Sequence, residues 1–215
     1  MTLFLNGCSY ALYWNTFPGV NLGVAGGSNI RTIRTTMEWI VHYNTKPDWV
    51  FMPITYLQRF EKSFIKQQNV PIEGTYIPSR KKEYRDLVKG FISKFTDTDI
   101  MYYDYLFMNI IMFSAWLSNQ GIKHLIWDQC NNFNREELQE FEGIDKLKLI
   151  EENPNVIPLF EFCGNLHMYN NGGTWDELNE RFDPQHKHYS VDSYSHLKDY
   201  LTVYAKEKLN EQIDW

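Results

Sequence analysis

The sequence predicts a three-layer α/β/α, flavodoxin-like fold with a central parallel sheet of about five strands, built as one domain over residues 1–215. Three observations predict it. Short apolar runs closed by Gly, Asn or Pro recur along the chain, and stretches with apolar residues at helical spacing stand between them. A chain of 215 residues, 43% hydrophobic and 22% charged, is long enough to bury a core on both sides of such a sheet. No internal repeat, low-complexity tract or change of composition divides it.

The elements follow in order. Leu3–Leu5 reads as a first buried strand, stopped by Asn6-Gly7. Residues 20–24 read as a second, closed by Ala25-Gly26-Gly27-Ser28-Asn29. Ile30, Ile33, Met37, Ile40 and Val41 then recur at helical spacing, with Ser28 or Asn29 placed to cap the helix. Lys46-Pro47-Asp48 opens a third strand over 49–52. Residues 57–98 are more polar and predict an irregular insertion with a helix near 82–94. Residues 104–119 are apolar nearly all round, as in a buried helix, and Gln120-Gly121 ends it. A fourth strand is expected over 123–127, a helix over 134–148 and a short fifth strand over 156–159. Residues 165–187, rich in Asn, Gly, Asp and His, read as a long loop. The last helix begins near Ser190 and carries Val191, Tyr194, Leu197, Leu201, Ala205 and Leu209 on one stripe. Strands alternating with helices in this way make a parallel sheet covered on both faces, whose ligands bind beyond the carboxyl ends of the strands.

Composition narrows the function. A net charge of −6 argues against a nucleic-acid groove, which relies on clustered Lys and Arg. Three scattered cysteines (Cys8, Cys130, Cys163) suit neither a disulfide framework nor a zinc knuckle, and a reduced compartment is the simplest reading. No apolar run has the length to span a bilayer, and no leader-like segment opens the chain. A cytoplasmic protein is expected, although a virion protein would look the same.

The residues able to do chemistry gather at the expected strand ends. Gly7 permits a tight turn after the first strand, and Ser9 would then stand over the sheet at the start of a helix or turn. Taken alone, a serine after such a turn is as readily a helix cap. After the second strand, Gly26 and Gly27 let backbone N–H groups approach a ligand. The stretch lacks the Lys-Ser/Thr of a P-loop and the spacing of a dinucleotide fingerprint. An oxyanion hole is the better functional reading, with the N–H of Gly26 or Gly27 and the Asn29 amide as donors. A plain glycine-rich turn is the alternative. Near the end of the chain, Asp183-Pro184-Gln185-His186-Lys187-His188-Tyr189-Ser190 puts two histidines ahead of the last helix. His186 has the Asp-x-x-His relation to Asp183, whereas His188 stands just outside the expected cap, Ser190. His196 falls inside the helix. Two loop histidines without a further paired ligand make a poor zinc site, so no metal and no cofactor are expected.

Taken together, these blocks resemble the SGNH (GDSL-like) hydrolases. Gly7-Cys8-Ser9 matches that family's Gly-Asp-Ser, and Asn21 through Gly26 matches its Asn-x-Gly-x-x-Gly. The Asp/His segment before the last helix matches its final block. The resemblance runs through the chain in block order, with only these short segments specific. Cys8 replaces the usual Asp. Pro47-Asp48-Trp49-Val50 is present, but Pro53-Ile54-Thr55-Tyr56 supplies no third-block Asn, so that either Asn29 takes over as donor or the oxyanion hole is incomplete. Ser28-Asn29-x-Arg31, Thr55 and Arg59 are similar to features of compact members from tailed bacteriophages.

The resemblance implies an esterase in which Ser9 is the nucleophile, His188 (or His186) the base and Asp183 its orienting acid. Gly26, Gly27 and Asn29 would bind the oxyanion, and the substrate would be a small or carbohydrate-linked O-acyl ester. Tyr56, Phe60, Tyr76 and Trp175 would line the walls or simply pack. Two other classes stay open: an inactive SGNH-like binding or structural module, and a nucleotide-binding flavodoxin-like domain using Gly26-Gly27-Ser28.

Overall fold

A computed structural model describes residues 1–12, 14–24, 27–55, 99–128, 144–157, 182–183, 188–189 and 191–215. The central sheet has five parallel strands: β1 (Leu3–Leu5), β2 (Val20–Asn21), β3 (Trp49–Ile54), β4 (Lys123–Asp128) and β5 (Val156–Ile157). Their order is β2-β1-β3-β4-β5, the flavodoxin-like order, with Phe4 level with both Val20 and Val50. The helices are α1 (Ser9–Leu12), α2 (Asn29–Tyr43), α3 (Asp99–Asn119), α4 (Ile144–Glu151) and α5 (Val191–Tyr204), and a π-helical turn, Ala205–Leu209, continues the last.

The strands alternate between two buried faces, and the core divides accordingly. Leu3, Leu5, Trp49, Phe51, Leu125 and Trp127 pack with Cys8 and Ala11 at α1 and with Tyr194, Leu197 and Leu201 of α5. Phe4, Val50, Met52, Ile54 and Ile126 pack with Ile33 and Ile40 of α2, Ile110 and Leu117 of α3, and Ile150 of α4. Burial on both faces is why these strands read as continuous apolar runs. The helical stripe expected at the end of the chain is present: Tyr194, Leu197, Leu201 and Ala205 are all buried.

Several boundaries differ from expectation. β2 stops at Asn21 because that side chain diverts the backbone: its Oδ1 accepts from Gly23 N–H (2.9 Å) and its Nδ2 donates to the Ala11 carbonyl (2.7 Å). A Cβ at Gly23 would stand 2.4 Å from the Leu12 nitrogen, so the passage requires glycine. α3 begins at Asp99, before the expected 104, and is not buried all round: Met108 and Met112 lie on an exposed edge. β4 runs one residue further, to the buried Asp128. The loop expected over 165–187 contains a strand at its end. Phe182–Asp183 (β6) pairs antiparallel with His188–Tyr189 (β7), so His188 lies on a strand rather than in a loop. The period of two cannot announce strands of two residues. The helix expected near 82–94, residues 134–143 of the next one, positions 158–159 and the cap residue Ser190 lie outside the described residues.

Candidate active site

The sheet order reverses direction between β1 and β3, and in folds of this kind the crevice over that switch point receives the ligand. The segment from Asn6 to α1 leaves β1 there, Gly27 to Asn29 leads into α2 beside it, and Thr55 follows β3. Ser9 is the first residue of α1.

Hydrogen bonds tie these pieces together. Asn6, 1% exposed, donates from Nδ2 toward the Thr32 carbonyl (3.1 Å) and the hydroxyls of Thr35 (2.8 Å) and Thr36 (3.0 Å), all on α2. Its Oδ1 accepts from Gly7 N–H at 3.0 Å. The Gly7 carbonyl accepts from Val24 N–H at 3.1 Å, which joins the Ser9 turn to the loop after β2. Ser28 caps α2, its Oγ accepting from Arg31 N–H at 3.1 Å. Cys8, where the family resemblance expects Asp, is fully buried in the apolar cluster with Leu5, Ala11 and Trp14, an environment that suits a thiol better than a carboxylate.

Two of the expected oxyanion donors are engaged by the protein itself. Gly27 N–H donates to the Val24 carbonyl at 2.9 Å, so it does not point a free donor at a ligand. Gly27 is needed for close approach instead: a Cβ there would stand 3.1 Å from the carbonyls of Gly7 and Val24. Asn29 grips the Thr55 peptide, accepting from Thr55 N–H at 2.8 Å and donating to the Thr55 carbonyl at 2.9 Å. The second Nδ2 hydrogen of Asn29 has no partner among the described residues. Gly26 lies outside the described residues.

The hairpin β6–β7 sets Asp183 directly opposite His188 in cross-strand register. β7 in turn lies against α1, with Cα atoms of the two elements within 8 Å of each other. The structure therefore brings the strand carrying His188 to the helix that Ser9 begins, and Asp183 to that strand. His186 lies outside the described residues, as do Tyr56, Arg59, Phe60, Tyr76 and Trp175. Sequence reasoning passed over Asn6 and the carboxylate of Asp128, which is buried at the carboxyl end of β4 level with Ile54. A polar residue directly after an apolar run was the only signal for either.

A hydrogen-bonded serine–histidine pair of hydrolase-type geometry also occurs elsewhere. Ser114 Oγ on α3 and His124 Nε2 on β4 are 2.7 Å apart. His124 Nδ1 faces the Ile122 carbonyl at 3.1 Å, which fixes the proton on Nδ1 and makes Nε2 the acceptor of the Ser114 hydroxyl. Asn153 Nδ2 donates to the same Ser114 oxygen at 2.8 Å. Burial holds the His124 pKa below its usual 6.5, the Ile122 carbonyl opposing this only in part. Both side chains are 1% exposed and stand at the amino end of β4, away from the switch-point crevice. A substrate carbonyl reaches Ser114 only if α3 leaves the sheet. The pair binds α3, β4 and the turn before β5 to one another.

Comparison of the chain with protein-family models, with curated proteins and with solved structures finds no match. No helix among the described residues is long and apolar enough to cross a membrane. Among the same residues no group of three or more His, Cys, Asp or Glu side chains is arranged to hold a metal ion.

Proposed function

We propose that the chain is a serine hydrolase of the SGNH (GDSL-like) type acting on a small or carbohydrate-linked O-acyl ester, with Ser9 as nucleophile. The observation that carries this reading is the packing of β7 against α1, with Asp183 opposite His188. It supports His188 over His186 as the base, because cross-strand neighbours are the pairs whose side chains interact across a hairpin.

In this mechanism His188 takes the Ser9 hydroxyl proton as Oγ adds to the ester carbonyl carbon. Asp183 holds the imidazole in orientation and balances the imidazolium. The carbonyl oxygen, now negative, is met by backbone N–H groups of the Ser9 turn and of Gly26, and by the second Nδ2 hydrogen of Asn29. The imidazolium returns the proton to the departing alcohol. Water, activated by the same histidine, then releases the acid and restores Ser9.

The engagement of Gly27 N–H and of the Asn29 amide with the protein itself favours a second reading, in which the same architecture binds a ligand without hydrolysing it. A fluorophosphonate probe separates the two. Hydrolase function predicts labelling of Ser9 in the wild type, none in Ser9→Ala, and loss of short-chain p-nitrophenyl ester turnover in His188→Ala with little change in His186→Ala. A folded wild-type protein that neither takes the label nor turns over ester sinks the hydrolase reading. A dependence on His186 alone moves the base.

A further inference from the structure

We infer that Asn6 is a positioning residue for the reaction: it fastens the Ser9 turn to α2, and α2, through Asn29, holds that turn in a fixed relation to the end of β3. The inference rests on Ser9 being the nucleophile.

α2 turns one face into the protein. Asn29, Thr32, Ile33, Thr36 and Ile40 form its buried stripe, polar at Asn29, Thr32 and Thr36 and apolar at Ile33 and Ile40. The apolar part meets the core with Phe4 and Val50. The polar part has no such partner and is instead the receiving surface for the Asn6 amide. Neither threonine hydroxyl needs Asn6 to satisfy its own proton. Thr35 Oγ1 donates to the Arg31 carbonyl (2.8 Å) and Thr36 Oγ1 to the Thr32 carbonyl (2.7 Å). Those donations orient the oxygen lone pairs, so that the surface offered to Asn6 accepts only. A donor of amide shape is required there, and the other end of the same amide accepts from Gly7 N–H, two residues before Ser9.

Asn29 repeats the device at the other strand: its amide leaves α2 and closes on both polar groups of the Thr55 peptide. Two side-chain amides therefore bond one helix to the carboxyl ends of β1 and β3, the strands flanking the switch point. Each spans 26 or more positions of sequence, so neither is a local turn bond. Fixing the nucleophile turn and the far wall to one rigid element is what a near-attack geometry requires, because a displacement of about 1 Å at the nucleophile costs on the order of 100-fold in rate.

The test uses two variants of the full chain, Asn6→Ala and the double change Thr35→Val/Thr36→Val. The second keeps Asn6 and the Thr32 carbonyl and removes only the two hydroxyl acceptors, so it answers the question even if Asn6→Ala fails to fold. Expected are a kcat lower by roughly 10-fold or more with KM within about twofold, and slower fluorophosphonate labelling. Amides of residues 7–9 should exchange hydrogen faster while those of β3 and β4 keep wild-type protection. Folded variants with wild-type kcat and wild-type exchange in the turn overturn the inference. A wild type that takes no label removes the hydrolase reading. The exchange measurement then decides the Asn6 fastening without reference to activity.

Discussion

Gly7 faces the ring of Pro53: a Cβ built on Gly7 would stand 2.8 Å from Pro53 Cγ and 3.0 Å from the Ala11 Cβ. The turn after β1 can pass between β3 and α1 only without a side chain at this position. Gly7→Ala should therefore destabilise the fold by about 1–3 kcal/mol, the usual cost of forcing a methyl group into a filled core. It should also lower Ser9 labelling by displacing the turn. Urea unfolding alongside labelling kinetics measures both, and a wild-type midpoint with wild-type labelling would show that the ring gives way.

Asn29→Ala removes both bonds to the Thr55 peptide and leaves its buried N–H and carbonyl without that partner. A loss of about 2–4 kcal/mol is expected, each unsatisfied buried group costing roughly 1–3. For a domain of this size each kcal/mol lowers Tm by about 2–4 °C. Calorimetry of the variant reads the result directly. An unchanged Tm would mean that solvent replaces the amide at no cost.

Much of this fold is legible in the sequence. Residues 3–5 and 49–52, and 125–127 within the strand expected over 123–127, read as strands because both faces of each are buried, which leaves an uninterrupted apolar run. α2 announces itself by Ser28 and by Ile33 and Ile40, and the last helix by its stripe. The carboxyl-end location of the candidate site follows from the strand–helix alternation alone. What the sequence does not carry are choices made between distant side chains. Nothing local tells Asn29 to bind Thr55 rather than an oxyanion, or tells Asn6 to reach Thr32, Thr35 and Thr36. The polar positions of the α2 stripe, Asn29, Thr32 and Thr36, look like a weak amphipathic pattern until their partners are known. Hydrogen-bond geometry likewise removes the Gly27 N–H from the donor set that glycine spacing suggests, because Val24 sits within reach only after the loop has closed.

The two serine–histidine arrangements make opposite predictions. Ser114→Ala should leave ester turnover and labelling intact while lowering stability by about 1–3 kcal/mol, since Asn153 and His124 both lose a buried partner. Ser9→Ala should abolish turnover and leave stability nearly unchanged. Loss of turnover in Ser114→Ala, with the fold intact by circular dichroism, would transfer the site to α3 and β4.

His124 should also shape the response to acid. Its folded-state pKa lies below the usual 6.5 because burial penalises the imidazolium. The unfolded chain therefore binds the proton first as pH falls. Stability is fully present above about pH 6.5 and declines below it until the folded-state pKa is reached. The titratable groups on the neighbouring elements are Lys123 and Asp128 on β4, and Asp145, Lys146, Lys148 and Glu151 on α4 with Glu152 just after it, whereas α3 presents none over residues 106–119. Chemical denaturation between pH 7.5 and 5 should show this decline, and His124→Leu should flatten it. An equal decline in that variant would assign the acid sensitivity to other groups.

The aromatic cluster behind α1 has an optical consequence. Trp14, just after α1, stacks on Tyr194 of α5 (5.5 Å, 20°) and lies 5.7 Å from Trp215, which itself stacks on Phe51 of β3 (5.0 Å, 23°). Indoles this close exchange excitation energy and couple their near-ultraviolet transitions, so their emission and ellipticity depend on the separation of the segment after α1 from the end of the chain. The chain thus carries a coupled indole pair linking the segment after α1 to the end of the chain, and any displacement of one against the other can be followed by light without attaching a dye.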